Sequence, residues 1–167
     1  MRGTLGSAVV LLAAALLLLR PWETLPGPPP GAAAARARVV RVVDGDTIEV
    51  RIGADLETVR LIGVDTPETV DPDAAVGCFG PRASRFSHRL LSGRRVRLVY
   101  GVERRDVYGR LLSYVYLGKV LVNAELIRLG FGRTLTIAPN DRFAERFKRL
   151  EIAAGRAGKG LWGACET

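Results

Sequence analysis

From Val39 to about residue 117, apolar and polar residues largely alternate, which is the pattern of β-strands with one buried face. Five runs of this kind are present: "RVVRVV", "TIEVRI", "ETVRLIGV", "RRVRLVY" and "RLLSYVYL". Asp44-Gly45 stands between the first two runs and is a strong hairpin signal. Gly53-Ala54-Asp55 connects the second run to the third. We therefore predict that the first three strands are consecutive and antiparallel.

The other periodic segments are helical. Pro81 suits the first turn of a helix whose apolar residues share one face: Phe86, Leu90 and Leu91. A short helix, "NAELIRL", is predicted to stop at Gly130. Asn140 is predicted to cap a final helix with one apolar stripe: Phe143, Phe147, Leu150 and Ala154. The segment from Thr66 to Gly80 has the Pro and Gly content of a long loop.

Five short strands with a helix inserted before the fourth favour a closed barrel, because closure removes exposed sheet edges. The predicted fold class is α+β, mainly β: a five-stranded OB-fold barrel with three helices. An open α+β sheet is the alternative.

The chain before Val39 has a different character. Its apolar run from Leu5 to Leu19 lies between Arg2 and Arg20 and is shorter than the roughly 20 residues that span a bilayer. It resembles the core of a secretory signal, and a Pro/Gly/Ala linker follows. We predict a signal peptide or signal anchor plus linker in residues 1–38 and one domain in residues 39–167. The protein is then exported, either secreted or anchored on the extracytoplasmic side of a membrane.

The charge balance indicates an anionic partner. The chain has 25 Lys and Arg against 17 Asp and Glu, a net charge of +8. Residues 1–38 contribute +3, so the domain keeps 8 − 3 = +5. Nucleic acid and an anionic membrane surface are both candidate partners. The alternative is that many exported proteins are simply basic.

Acidic residues nevertheless concentrate between Asp44 and Glu68. Asp46 follows the predicted hairpin turn and Asp65 ends the third predicted strand, so their carboxylates can meet beside the Thr66 carbonyl. Such an oxygen-only set selects a hard cation, Ca²⁺ or Mg²⁺. His88 with Cys78 and Cys165 cannot supply a zinc tetrad. The alternative for either acidic motif alone is a simple turn.

Three further residues could take part in a reaction beside this predicted cation site. Glu68, beside the cation but not one of its ligands, is a candidate general base for a bound water. Arg60 and Arg110 can each bind phosphate oxygens in bidentate fashion, although either one alone could be a surface charge. A hard cation, a base and two arginines suit phosphodiester hydrolysis.

An ordered set of motifs then resembles the staphylococcal nuclease (thermonuclease) family. They are "DGDT", "RLIGVDTPE", "FGPRAS", "DVYGRLLSYVY", "VNAELIRLGFG" and "GLW", and they cover the chain from about Val40 to Trp162. The resemblance implies an OB-fold, Ca²⁺-dependent endonuclease. It implies that DNA and RNA are substrates, cleaved at the 5′ P–O bond to leave 3′-phosphates. We expect a monomer.

The resemblance also assigns residues. Asp46, Asp65 and the Thr66 carbonyl correspond to the Ca²⁺ ligands, and Asp44 to a carboxylate supporting that site. Arg60 and Arg110 correspond to the phosphate-binding arginines. Glu68 corresponds to the residue usually assigned as the general base.

The sequence departs from the family's type member in two places. The loop after "DTPET" carries Asp71 and Asp73 in place of a lysine-rich segment. Beyond Gly132 the tyrosines near the bound nucleotide are missing. Tyr108 remains as a candidate platform for a base, or else as a half-buried barrel residue.

Two expectations complete the sequence analysis. An exported chain with two cysteines favours a disulfide between Cys78 and Cys165, the alternative being two unrelated small residues. A non-catalytic OB-fold module that binds nucleic acid is the alternative function. Retention of the metal, base and arginine residues together favours the enzyme.

Overall fold

The computed structural model describes residues 32–69 and 77–165. Its strands are β1 (Ala34–Val42), β2 (Thr47–Ile52), β3 (Asp55–Leu61), β4 (Gly63–Asp65), β5 (Arg95–Arg105), β6 (Leu111–Leu117), β7 (Val120–Leu121) and β8 (Arg133–Leu135). Its helices are α1 (Gly80–Leu91), α2 (Val122–Arg128), α3 (Ala144–Arg156) and the four-residue α4 (Leu161–Ala164). The predicted signal segment, and Asp71 and Asp73 of the long loop, lie outside the described residues.

The main sheet closes on itself. Its strand order is β3-β2-β1-β5-β6-β7, and β3 also pairs with β6 in parallel. β1, β2 and β3 are antiparallel neighbours, as the hairpin signals predicted. The closed five-stranded barrel with three principal helices is therefore confirmed, and the open α+β sheet is wrong. Closure matters for function because it brings the start of β2, the end of β3 and the start of β6 to one end of the barrel.

Two strand boundaries differ from the sequence analysis. β1 begins at Ala34, ahead of the predicted domain start at Val39, because residues 34–38 pair with β5. The third predicted strand is interrupted at Ile62, and its second part, β4, pairs with β8 in a separate two-stranded sheet. Gly63 adopts φ +79 at the break, where a Cβ would lie 2.6 Å from the Phe147 ring. Asp65, the last residue of β4, is exposed beyond this bend.

One buried side chain joins the elements behind the break. Asn123 is fully buried at the start of α2 and accepts a hydrogen bond from the backbone of Val115 at 2.9 Å. Its amide donates to the carbonyl of Ile62 at 2.8 Å. Because a buried amide is costly unless its hydrogen bonds are made, this residue holds β6, α2 and the β3–β4 bend in one arrangement.

The helices begin and end near their predicted positions with one exception. The stripe of α3 is buried as predicted. However, α3 begins at Ala144, and Asn140 does not cap it. The Asn140 side chain instead accepts from the backbone N–H of Glu103 and donates to the Glu103 carbonyl. The prediction was wrong because a bulged part of β5 offered both backbone partners to the same amide.

The C-terminal end is tied to the start of α1. Cys78 and Cys165 form a disulfide across 87 residues of sequence, as predicted. No helix within the described ranges is long and apolar enough to cross a membrane.

Candidate active site

The predicted site residues meet in one pocket at the end of the barrel. Its volume is about 290 Å³. The residues that line it include every candidate ligand, base and arginine of the sequence analysis: Asp44, Asp46, Arg60, Asp65, Thr66, Glu68 and Arg110. They come from the β1–β2 turn, β3, the end of β4, the following loop and the residue before β6.

Asp46 lies at the centre of this arrangement and is almost completely buried. Its Oδ2 accepts hydrogen bonds from the backbone N–H of Thr66 at 2.7 Å and from the Thr66 hydroxyl at 3.0 Å. Gly45 permits this approach, because a Cβ there would lie 2.6 Å from the Thr66 hydroxyl. The glycine of "DGD" is thus required by close packing between the turn and Thr66.

Arg60 is held across the pocket from β3. Its Nη1 lies 3.2 Å from Oδ2 of Asp46, and its Nη2 lies 2.8 Å from Oδ1 of Asp65. Nη1 also donates to the Val64 carbonyl at 2.6 Å. Only 14% of the side chain is exposed, so these contacts fix the guanidinium in place and leave little freedom to reorient.

The oxygen atoms beside Arg60 fit a hard cation. Among the described residues, Oδ1 of Asp46 accepts a hydrogen bond only from the Thr47 hydroxyl, and Oδ2 of Asp65 accepts none. In the described part of the chain, the Thr66 carbonyl accepts no hydrogen bond. Two carboxylates and a free carbonyl are the oxygen donors that Ca²⁺ and Mg²⁺ prefer. Within residues 32–69 and 77–165, no group of three or more His, Cys, Asp or Glu side chains is placed to hold a metal ion.

Glu68 and Asp44 lie on the loop side of the pocket. Oε1 of Glu68 accepts from the backbone N–H of Thr69 at 2.8 Å. The Thr69 hydroxyl donates to Oδ1 of Asp44 at 2.9 Å, and the backbone of Gly45 donates to the same oxygen at 2.6 Å. Thr69 therefore links the two carboxylates and orients both toward the pocket.

Burial raises the pKa of Asp44, and repulsion from Asp46 and Glu68 adds to this effect, although hydrogen bonds from Gly45 and Thr69 oppose it. Desolvation likewise raises the pKa of Asp65, against the attraction of Arg60. Burial is thus the main reason why the charged forms of these two carboxyls are disfavoured.

Arg110 lines the pocket from the turn before β6. Asp106 accepts from its Nε at 2.7 Å and from its backbone N–H at 2.9 Å. The same carboxylate accepts from the backbone of Tyr108. The guanidinium lies 5.2 Å from the centre of the Tyr108 ring. The Asp106 carboxylate therefore stabilises the turn before β6 and also orients the Arg110 guanidinium.

A second, mainly aliphatic pocket of about 300 Å³ adjoins the first and shares Arg60 and Arg110 with it. Tyr108 lines it and is 81% exposed, so the half-buried barrel interpretation is wrong. Leu112, Leu135 and Ile137 form much of the remaining wall. The pocket is therefore lined mostly by apolar residues and lies next to both arginines.

The sequence analysis missed the residues that position the site. These are Thr47, Thr69, Ser87 and Asp106. Ser87 is fully buried in α1, and its hydroxyl donates to the Gly45 carbonyl at 2.5 Å. This hydrogen bond holds α1 against the turn between β1 and β2. Two of them had a local signal, since Asp106 stands four residues before Arg110 at a turn and Thr47 directly follows Asp46. Thr69 and Ser87 act across 25 and 42 residues of sequence, which no local pattern reveals.

Comparison with known proteins places this geometry in a family. The family model described as "Staphylococcal nuclease homologue" matches residues 58–164. The chain is 38% identical over 159 residues to "Thermonuclease" of Staphylococcus hyicus, covering 92% of this chain and 94% of that protein. It is 42% identical over 124 residues to "Thermonuclease" of Staphylococcus intermedius, covering 74% of each. "Endonuclease YncB" of Bacillus subtilis is 36% identical over 124 residues, which are 73% of this chain and 59% of that protein. The chain belongs to the staphylococcal nuclease family.

Proposed function

We propose that this nuclease is an exported, Ca²⁺-dependent endonuclease that hydrolyses DNA and RNA to products with 3′-phosphates. The observation that carries the proposal is the single pocket that brings together the carboxylates of Asp46 and Asp65, Thr66, Glu68 and two arginines. The relatives named thermonuclease and endonuclease support phosphodiester hydrolysis as the reaction.

Asp46, Asp65 and the Thr66 carbonyl would hold the Ca²⁺. When bound, the ion would supply positive charge against a phosphate oxygen and the attacking water. Asp44, fixed by Gly45 and Thr69, would support the site electrostatically without contacting the ion.

The remaining residues would act on the substrate directly. Glu68 would take a proton from the water that attacks phosphorus, which makes that water a better nucleophile. Arg60 and Arg110 would donate to phosphate oxygens and stabilise the charge that grows in the transition state. Both guanidinium groups are already oriented by carboxylates, so little reorganisation is needed when the phosphate arrives.

The aliphatic pocket would receive a base of the same nucleic acid. Tyr108 offers an exposed ring for stacking, which is worth about 1–3 kcal/mol per base. Leu135 and Ile137 offer apolar contact without hydrogen-bond donors, so we expect weak discrimination among bases.

Export rests on the apolar run Leu5–Leu19 and on the disulfide, which is typical of oxidising compartments. Either secretion or membrane anchoring through residues 1–38 belongs to the proposal, together with a monomeric state. The non-catalytic binding module is not favoured, because such a module has no use for a base beside a cation site.

Incubation of the purified protein with single-stranded DNA and with RNA, in Ca²⁺ or in EDTA, tests the proposal. We expect internal cleavage in Ca²⁺ only, with product ends that a 3′-phosphatase converts to hydroxyls. Equal cleavage in EDTA, or products with 5′-phosphates, would contradict it.

A further inference from the structure

Five arginines surround a groove on the outside of the barrel, separate from the catalytic pocket. The groove has a volume of about 630 Å³. Its basic residues come from β1, β2 and β5: Arg36, Arg38, Arg51, Arg95 and Arg97. None of them lines the catalytic or the aliphatic pocket.

The strand register places these arginines directly opposite one another. Arg36 pairs with Arg97, and Arg38 pairs with Arg95 on one side and with Arg51 on the other. Like charges in directly opposed positions destabilise a sheet. All five side chains are exposed, and within the described residues none forms an ion pair with a carboxylate. A sheet that carries this repulsion without counter-charges is suited to a polyanion that supplies them.

The floor of the groove adds a second, independent observation. Tyr116 lines the groove, is fully buried, and its hydroxyl has no hydrogen-bond partner among the described residues. A buried hydroxyl normally has a partner, so this donor is available to an acceptor. Ala37 and Val96, the aliphatic side chains of the lining, are buried below the arginines. A membrane surface would be met by exposed apolar side chains among the basic ones, and the groove lining offers none.

We propose that this arginine groove is a second, non-catalytic binding site for the phosphodiester backbone of a polynucleotide. Guanidinium groups bind phosphate oxygens in bidentate fashion, and five of them on three strands match a repeating anion better than a single phosphate. The choice of a polynucleotide rests on the proposed nuclease function.

The position of the groove relative to the catalytic pocket gives it a role. Arg51 and Asp46 are five residues apart in sequence, so their Cα atoms are at most about 18 Å apart. One nucleic-acid strand can therefore reach both sites. The groove would retain a long substrate between successive cleavages, whereas a very short substrate would gain nothing from it.

The test compares two triple variants of the full-length chain. The first, Arg36→Gln/Arg38→Gln/Arg97→Gln, removes three charges from the groove. The control, Arg85→Gln/Arg89→Gln/Arg156→Gln, removes three exposed charges from α1 and α3 that do not line the groove. Binding of single-stranded DNA of about 30 nucleotides, longer than the 4–16 that one OB fold covers, is measured by fluorescence anisotropy in EDTA over a range of salt.

We expect the groove variant to lose about 10–100-fold in affinity near 0.1 M salt, with the slope of log K against log salt reduced by about 2. The control variant should change both much less. Cleavage of a dinucleotide in Ca²⁺ should be the same for all three proteins. Equal losses in the two variants would overturn the proposal, because the effect would then be one of general charge.

Co-sedimentation with phosphatidylserine vesicles tests whether the groove binds an anionic membrane surface instead. If the groove variant loses vesicle binding but retains polynucleotide binding, the groove is a membrane site and the proposal is wrong. Because DNA binding is measured in EDTA, its result does not depend on the catalytic proposal. A wild-type protein that binds DNA through the groove but cleaves nothing would contradict the proposed function alone.

Discussion

Nη1 of Arg60 lies 3.2 Å from Oδ2 of Asp46, and both groups are largely buried. The same guanidinium reaches Asp65 and the Val64 carbonyl, so it supports the pocket as well as facing its interior. Arg110 has a different setting, since its partner Asp106 belongs to its own turn. The two arginines therefore differ in how much of the fold depends on them.

Arg60→Ala is expected to lower the free energy of unfolding by about 1–3 kcal/mol, because it leaves the buried Asp46 carboxylate without its counter-charge. Arg110→Ala should cost less than about 1 kcal/mol, since its partner pair is partly exposed. Urea denaturation of each variant measures the difference. Arg105→Ala, which breaks an ion pair with Glu57 outside the pocket, is the matched control. Equal stability of the Arg60 and Arg110 variants would contradict this distinction.

Asp46→Asn is expected to raise the Ca²⁺ concentration needed for half-maximal cleavage by at least about tenfold, because it removes a ligand charge while keeping the shape. The wild-type affinity should itself be weak, on the order of 10⁻⁴ to 10⁻³ M, because few protein oxygens are present. Cleavage rate against free Ca²⁺ measures both values. Asp55→Asn, at an exposed position in β3, serves as the control. Full wild-type activity at submicromolar free Ca²⁺ would contradict this prediction.

Reduction of the Cys78–Cys165 disulfide is expected to lower the free energy of unfolding by about 4 kcal/mol, because the bond closes a loop of 87 residues in the unfolded chain. Chemical denaturation of the wild type and of Cys78→Ala/Cys165→Ala, with and without reductant, tests this. The double variant should be insensitive to reductant. A count of two free thiols in the oxidised, denatured wild type would show that the bond does not form.

The stability of the fold should fall in acid, in part through Glu151. Burial raises the pKa of this carboxyl, but hydrogen bonds from Lys148 and from the backbone and side chain of Thr134 outweigh burial and lower it. A lowered folded-state pKa contributes stability that is present above the unfolded value, about 4.3, and lost as pH falls through the folded one. Glu151→Gln should therefore be destabilising by about 1–3 kcal/mol at pH 7.

The difference between Glu151→Gln and the wild type should shrink as pH falls below the unfolded value of about 4.3, because the wild-type carboxyl is then progressively protonated. Thermal unfolding between pH 3 and pH 7 measures it. Glu145→Gln, at an exposed position on the same helix, is the control. A Glu151 effect that is the same at both ends of this range would show that the charge is not responsible.

The barrel and the members of the pocket were accessible from sequence because their signals are local. Alternation marked the strands, Asp44-Gly45 marked the hairpin, and the ends of neighbouring strands placed Asp46 near Asp65. The break at Ile62 and the β4–β8 pairing were not predictable, since they depend on Phe147 packing against Gly63 and on the Asn123 amide. Asn140 is a residue type that is common at helix N-caps, but its side chain hydrogen-bonds the backbone of Glu103 in β5 instead.

The arginines of β1 were also misread for a physical reason. "ARAR" looked like the end of a linker because alanine carries little hydrophobic signal, yet its alternation buries Ala37 and exposes Arg36 and Arg38. Only pairing with β2 and β5 reveals the groove.

The central claim is that the pocket with Glu68 and the two arginines performs the hydrolysis. The most direct measurement is the rate of single-stranded DNA cleavage in saturating Ca²⁺ by wild type, Glu68→Gln and Arg110→Ala, with Glu57→Gln as a control outside the pocket and folding checked by circular dichroism. We predict a loss of about 10²–10⁴-fold for Glu68→Gln and about 10²–10³-fold for Arg110→Ala, with no change for the control. Wild-type rates in folded Glu68→Gln and Arg110→Ala would contradict the account.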